Sequence, residues 1–100
     1  MYDVQLTTSY FPAQTDQIIR DITIGDALAE AVRDHSDRPA LTEIGIDGAT
    51  GRRWTYSEMA ADAERLAFAL ASRFKKGERV VVWAPNIPEW ALMEFACALS

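Results

Sequence analysis

Four consecutive apolar residues, Val80, Val81, Val82 and Trp83, constrain this chain more than any other stretch. β-Branched side chains in a row favour extended backbone. A strand with one wet face alternates apolar and polar residues, whereas an unbroken apolar run needs cover on both faces, as in a parallel sheet. The reading is a strand over Arg79-Val80-Val81-Val82-Trp83-Ala84, ended by Pro85. Residues 87–99 then form a helix that is apolar almost all round, broken only by Glu89 and Glu94. Asn86 is its expected cap, with Pro88 tolerated in the first turn. Such a helix belongs inside a protein. A strand and a helix that both need burial require more layers than the rest of the chain supplies. No C-cap glycine and no further strand follow. The expectation is that these residues are part of a longer polypeptide.

The upstream elements are better punctuated. Residues 1–22 show no clean period and read as an extended arm in which Tyr10-Phe11-Pro12 could pack on something. Thr23, followed three residues later by Asp26, resembles a capping box, and Ile24, Leu28, Ala31 and Val32 recur at helical spacing. Pro39 forbids easy continuation. Residues 40–46 read as a strand, Asp47-Gly48-Ala49-Thr50-Gly51 as a turn, and Arg52-Arg53-Trp54 as a short returning strand. Thr55-Tyr56-Ser57-Glu58 fits a capping box, and Met59, Ala63, Leu66, Leu70 and Phe74 make one apolar stripe. Lys75-Lys76 suit the negative end of that helix, and Gly77 its left-handed stop. The predicted order is helix, β-hairpin, helix, strand, helix, an α/β class.

Composition excludes several functions. Apolar residues make up 49% and charged residues 25% of the 100 residues, which argues for a globular chain. The formal net charge of −5 speaks against nucleic-acid binding, and Arg52-Arg53 and Lys75-Lys76 are too short for a basic stripe. They read as a solvated turn and a helix end. Cys97 is the only cysteine, without a disulfide or metal partner, and sits in an apolar run as a small buried side chain. With no signal peptide at Met1-Tyr2-Asp3-Val4, this points to the cytoplasm. No uncharged run reaches the ~20 residues needed for a transmembrane segment.

Reactive constellations are missing. Gly45, Gly48 and Gly51 are spaced G-x-x-G-x-x-G between two strands, unlike a dinucleotide fingerprint, and read as a hairpin loop. His35 lies in a polar helix end beside Asp34 and Asp37, without a nucleophile to activate. Asp62 with Glu64, and Asp26 with Glu30, fall on faces expected to be wet. Trp54, Trp83 and Trp90 read as core or seam residues. The sequence therefore offers no catalytic, cofactor-binding or metal-binding residue.

The ordered set Trp54-Thr55-Tyr56-Ser57-Glu58-Met59, an Ala-rich helix, and Lys76-Gly77-Glu78-Arg79-Val80-Val81-Val82-Trp83-Ala84-Pro85-Asn86-Ile87-Pro88-Glu89-Trp90 resembles the start of the AMP-forming acyl-adenylate ligase superfamily. Arg38-Pro39-Ala40, entering the first strand, also fits. The resemblance covers about residues 22–100. It implies residues 23–100 as the beginning of the large N-terminal AMP-binding domain, truncated at its C-terminal end. The implied full-length enzyme uses ATP, Mg²⁺ and CoA, converts a carboxylic acid to an acyl-adenylate, and transfers the acyl group to a thiol. In the family the phosphate loop, the nucleotide contacts and the C-terminal lysine come later, so the segment itself is expected to be non-catalytic and to bind none of them. Trp83-Ala84-Pro85-Asn86 looks most like bacterial fatty acyl-CoA synthetases. An aryl-CoA ligase, a carrier-protein adenylation domain, or a non-catalytic interaction module are the alternatives. Implied partners are the rest of the polypeptide, a fatty or other carboxylic acid and CoA. A homodimer and a peripheral membrane association are compatible with the resemblance.

Overall fold

A computed structural model describes Thr7 and residues 12–100. Tyr10 and Phe11, with residues 1–6, 8 and 9 of the expected arm, lie outside the described residues, and residues 12–22 contain no helix or strand. The elements are α1 (Ile24–His35), β1 (Pro39–Ile44), β2 (Thr50–Thr55), α2 (Tyr56–Ala71) and α3 (Pro88–Leu99). The mixed α/β class expected from sequence is the class observed.

Both predicted capping boxes form. In α1 the Asp26 N–H donates to Thr23 Oγ1 at 3.0 Å, and the Thr23 N–H donates back to Asp26 Oδ2 at 3.3 Å. In α2 the Glu58 N–H donates to Thr55 Oγ1 at 3.2 Å, and the Thr55 N–H to Glu58 Oε2 at 2.8 Å. Each box satisfies end N–H groups that no preceding helical turn can reach. Between these helices β1 and β2 pair antiparallel, with Leu41 opposite Trp54 and Thr42 opposite Arg53. The hairpin turn runs through Gly48 at φ 79°, and the Gly45 N–H donates to the Ala49 carbonyl at 2.8 Å. Glycine holds that left-handed backbone without the clash a Cβ would bring.

The core has two parts. Leu28 of α1, Met59 of α2 and Leu92 of α3 meet in one cluster, flanked by Val32, Leu41, Trp54, Tyr56 and Phe95. Ala67, Leu70 and Ala96 form the second, flanked by Leu66 and Met93. Ala63 and Ala96 are fully shielded from water, and their small side chains let α2 and α3 approach closely. The apolar face of α2 is thus Met59, Ala63, Ala67 and Leu70, close to the predicted stripe.

Four sequence expectations fail beyond that core. First, α2 stops at Ala71, so Phe74, Lys75 and Lys76 lie outside it. Ser72 ends the helix: its hydroxyl donates to the Ala69 carbonyl at 2.8 Å, while the Arg73 N–H turns back to the Leu70 carbonyl at 2.9 Å. A serine that takes a main-chain carbonyl competes with the helical ladder. Gly77 does adopt a positive φ of 88°, but in a separate turn closed by the Glu78 N–H on the Lys75 carbonyl at 3.0 Å. Second, residues 79–84 form no strand ladder among the described residues. The sole sheet there is the β1–β2 hairpin, and residues 79–84 pair with neither of its edges. Third, Asn86 does not cap α3. Ile87 holds the cap position without a side-chain bond, and Pro88 at the first helical position removes one N–H that a cap would serve. Fourth, Cys97 is exposed, because α3 turns Leu92 and Ala96 inward and its next residue away.

Candidate functional site

The densest polar arrangement joins the hairpin to α3 through Arg52. Its Nε donates to Glu43 Oε2 at 2.9 Å and its Nη2 to Glu43 Oε1 at 3.0 Å. On the other side Nη1 donates to Glu89 Oε1 at 2.5 Å and Nη2 to Glu89 Oε2 at 3.2 Å. The planar fork matches a carboxylate on each side, a geometry a lysine cannot copy. The Arg52 guanidinium carbon also lies 5.3 Å from the centre of the Trp54 ring, within cation–π range. Hydrogen bonds from Arg52 hold the Glu43 carboxyl down at about 2, and those it donates to Glu89 hold that carboxyl below its ordinary range. The same two partners raise Arg52 further above its ordinary value.

A second network fixes Trp54 itself. Its indole Nε1 donates to Asp62 Oδ2 at 2.8 Å, and Arg65 also pairs with Asp62. Asp62 is therefore a tether between β2 and α2, not the freely solvated carboxylate expected for that face. Arg52 likewise departs from the solvated-turn reading of its doublet. A cross-strand neighbour of opposite charge, Glu43, was the sequence signal that could have revealed half of this network. Nothing in the sequence placed Glu89 beside it, since α3 arrives from 37 residues away.

The other singled-out residues do not converge. His35 is exposed in the last turn of α1, and Gly45, Gly48 and Gly51 belong to the hairpin. Asp26 serves the α1 cap, where hydrogen bonds from the Thr23 side chain and backbone lower its titration, and Glu30 pairs with Arg20. Of the three tryptophans, Trp54 packs on the core, Trp90 is 43% exposed, and Trp83 is fully exposed at 100%. Trp83 is thus a correction to its core reading. Val81 is 87% exposed beside it. A shallow groove of about 440 Å³ runs between Val80, Val81 and Val82 and the Trp90, Met93 and Cys97 side of α3.

Among the described residues the acidic side chains are not gathered into a site for a divalent cation. The carboxylates close to one another are committed to caps, to Arg52 or to Trp54, and no group of three or more His, Cys, Asp or Glu among the described residues is placed to hold a metal. No helix among the described residues is long and apolar enough to cross a membrane.

The described residues thus combine two capped helices, a tethered hairpin and an apolar segment with Val81 and Trp83 exposed. The family described as AMP-binding enzyme matches residues 28–100, and the chain belongs to that family. It is 36% identical over 94 residues to a mitochondrial medium-chain acyl-CoA ligase of Danio rerio, covering 93% of this chain and 15% of that protein. It is 39% identical over 74 residues to triostin synthetase I of Streptomyces triostinicus, covering 73% of this chain and 13% of the relative. An acetyl-coenzyme A synthetase of Magnetococcus marinus is 40% identical over 62 residues, 61% of this chain and 10% of its own length. The chain therefore spans about one tenth to one seventh of these relatives. No solved structure matches it significantly.

Proposed function

We propose that this chain is the opening part of an ATP-dependent, AMP-forming acid–thiol ligase, and that its own contribution is scaffold. In the whole enzyme a carboxylate attacks the α-phosphate of ATP, releasing pyrophosphate. The thiol of CoA then displaces AMP from the acyl-adenylate. ATP, Mg²⁺ and CoA would be held by residues outside the segment, and no step is assigned to a side chain within it. The family match over residues 28–100 carries this reading. The exposure of Val81 and Trp83 supports it, since apolar surface of that kind requires cover. A fatty acid is the favoured substrate, because a medium-chain acyl-CoA ligase is 36% identical over 93% of this chain. Cytoplasmic placement belongs to the same proposal.

The test is AMP and pyrophosphate release by the full-length polypeptide with ATP, Mg²⁺, CoA and a series of acids. Turnover that needs both a fatty acid and CoA is expected. Release that needs an aryl acid or a carrier protein would move the assignment within the superfamily, and no acid-dependent release would overturn it. Saturable Mg²⁺-dependent ATP binding by residues 1–100 alone would show that the segment does hold a nucleotide site.

A further inference from the structure

α3 is held by apolar contact along its length and, at its first turn, by a polar contact as well. Leu92 and Ala96 pack on α2, so the middle and C-terminal turns rest on apolar contact, and in the first turn Pro88 is buried as well. The first turn has no side-chain cap. Its polar anchor is Glu89, gripped by Arg52 of β2, which also grips Glu43 of β1. Four N–H···O contacts leave the guanidinium with one of its five N–H groups uncommitted. The Arg52 backbone N–H adds a bond to Glu43 Oε2 at 3.3 Å. Gly51 makes room for this: a Cβ there would stand 2.8 Å from the same Glu43 oxygen. Beside the pairing, a groove of about 310 Å³ separates β1 from the start of α3, walled by Leu41, Ile44, Ile87 and Trp90 and edged by Glu43 and Glu94.

We propose that Arg52 is a latch that fixes the first turn of α3 on the hairpin, and that its release opens the groove between β1 and α3 while the rest of α3 stays packed on α2. Arg52 is a positioning residue in this role. An isolated surface ion pair contributes little, but a bidentate, three-residue network with a stacked ring is the geometry in which such pairs matter. The latch uses only residues of this chain and does not depend on the ligase reading.

Hydrogen exchange resolved by peptide tests it, comparing the wild type with Glu89→Gln, Arg52→Gln and the double variant. Each single substitution is expected to speed exchange in residues 88–94 by about three- to fivefold, with residues 59–70 unchanged. The double variant should be no faster than either single one. Raising the ionic strength to about 1 M, where the screening length falls to about 3 Å, should mimic the substitutions in the wild type and add nothing in Arg52→Gln. Arg52→Lys, which keeps the charge and loses the fork, should behave like Arg52→Gln. Unchanged exchange at residues 88–94 in Glu89→Gln, an additive double variant, or equal loosening of α2 would each overturn the proposal.

Discussion

The region from Thr23 to Ala71 and the region from residue 72 to 87 are built by opposite rules. In the first, every helix start is capped by its own side chains, and the hairpin is stitched to α2 through Trp54 and Asp62. In the second, a serine stops one helix early, a glycine turn redirects the chain, and an unpaired apolar run leaves Val81 and Trp83 in water. Local hydrogen bonds complete the first region from within. The second is patterned for neighbours that the described residues do not supply. Punctuation near in sequence can finish a helix, whereas a strand is finished only by another strand.

Substitutions should separate the two regions sharply. The largest effect is expected from Met59→Ala, which empties the seam where α1, α2 and α3 meet and should lower stability by about 2–4 kcal/mol in denaturant unfolding. Thr55→Ala removes half of the α2 capping box and should lower it by about 1 kcal/mol. Asn86→Ala should change stability by less than about 0.5 kcal/mol, because Ile87 is the cap and Asn86 makes no capping bond. A loss as large as that of Thr55→Ala would restore Asn86 as the cap and blur the contrast. Val81→Ala should be equally silent in this chain, where the side chain is exposed, and should lower stability by about 1 kcal/mol in a full-length ligase that covers it.

Acid offers a finer probe of the join between hairpin and α3. The Glu43 carboxyl titrates at about 2 in the folded chain against an ordinary 4.5, and Glu89 is shifted the same way by Arg52. A folded value below the unfolded one means that the contribution is complete above pH 4.5 and is lost as pH falls toward 2. Tryptophan fluorescence should therefore change in that window through Trp54, which lies against Arg52. The change should be absent in Arg52→Gln. Its persistence there would assign the transition to other carboxylates.

Much of the first region was legible because its signals are local. Thr23 with Asp26, and Thr55 with Glu58, name their own partners three residues away, and Gly48 marks the one turn position that needs positive φ. The polar network was only half legible. Glu43 faces Arg52 once the hairpin is drawn, but the approach of Glu89 depends on how α3 lies across the hairpin. Lys75, Lys76 and Gly77 misled because a C-terminal pattern of that kind is weaker than the competing bonds of Ser72. Trp54 and Asp62 show the same limit: each looked like an independent residue, and together they form a tether.

By itself, then, the sequence determined the N-terminal caps of α1 and α2, the hairpin, most of the inward faces of those two helices, and family membership through the order of its motifs. These rest on spacings of a few residues, where backbone geometry leaves little choice. Only the tertiary structure decided where α2 ends, that residues 79–84 run unpaired, that Cys97 and Trp83 face outward, and that Arg52 bridges two carboxylates. Those outcomes depend on which distant surfaces arrive, and periodicity within one element carries no record of what approaches it.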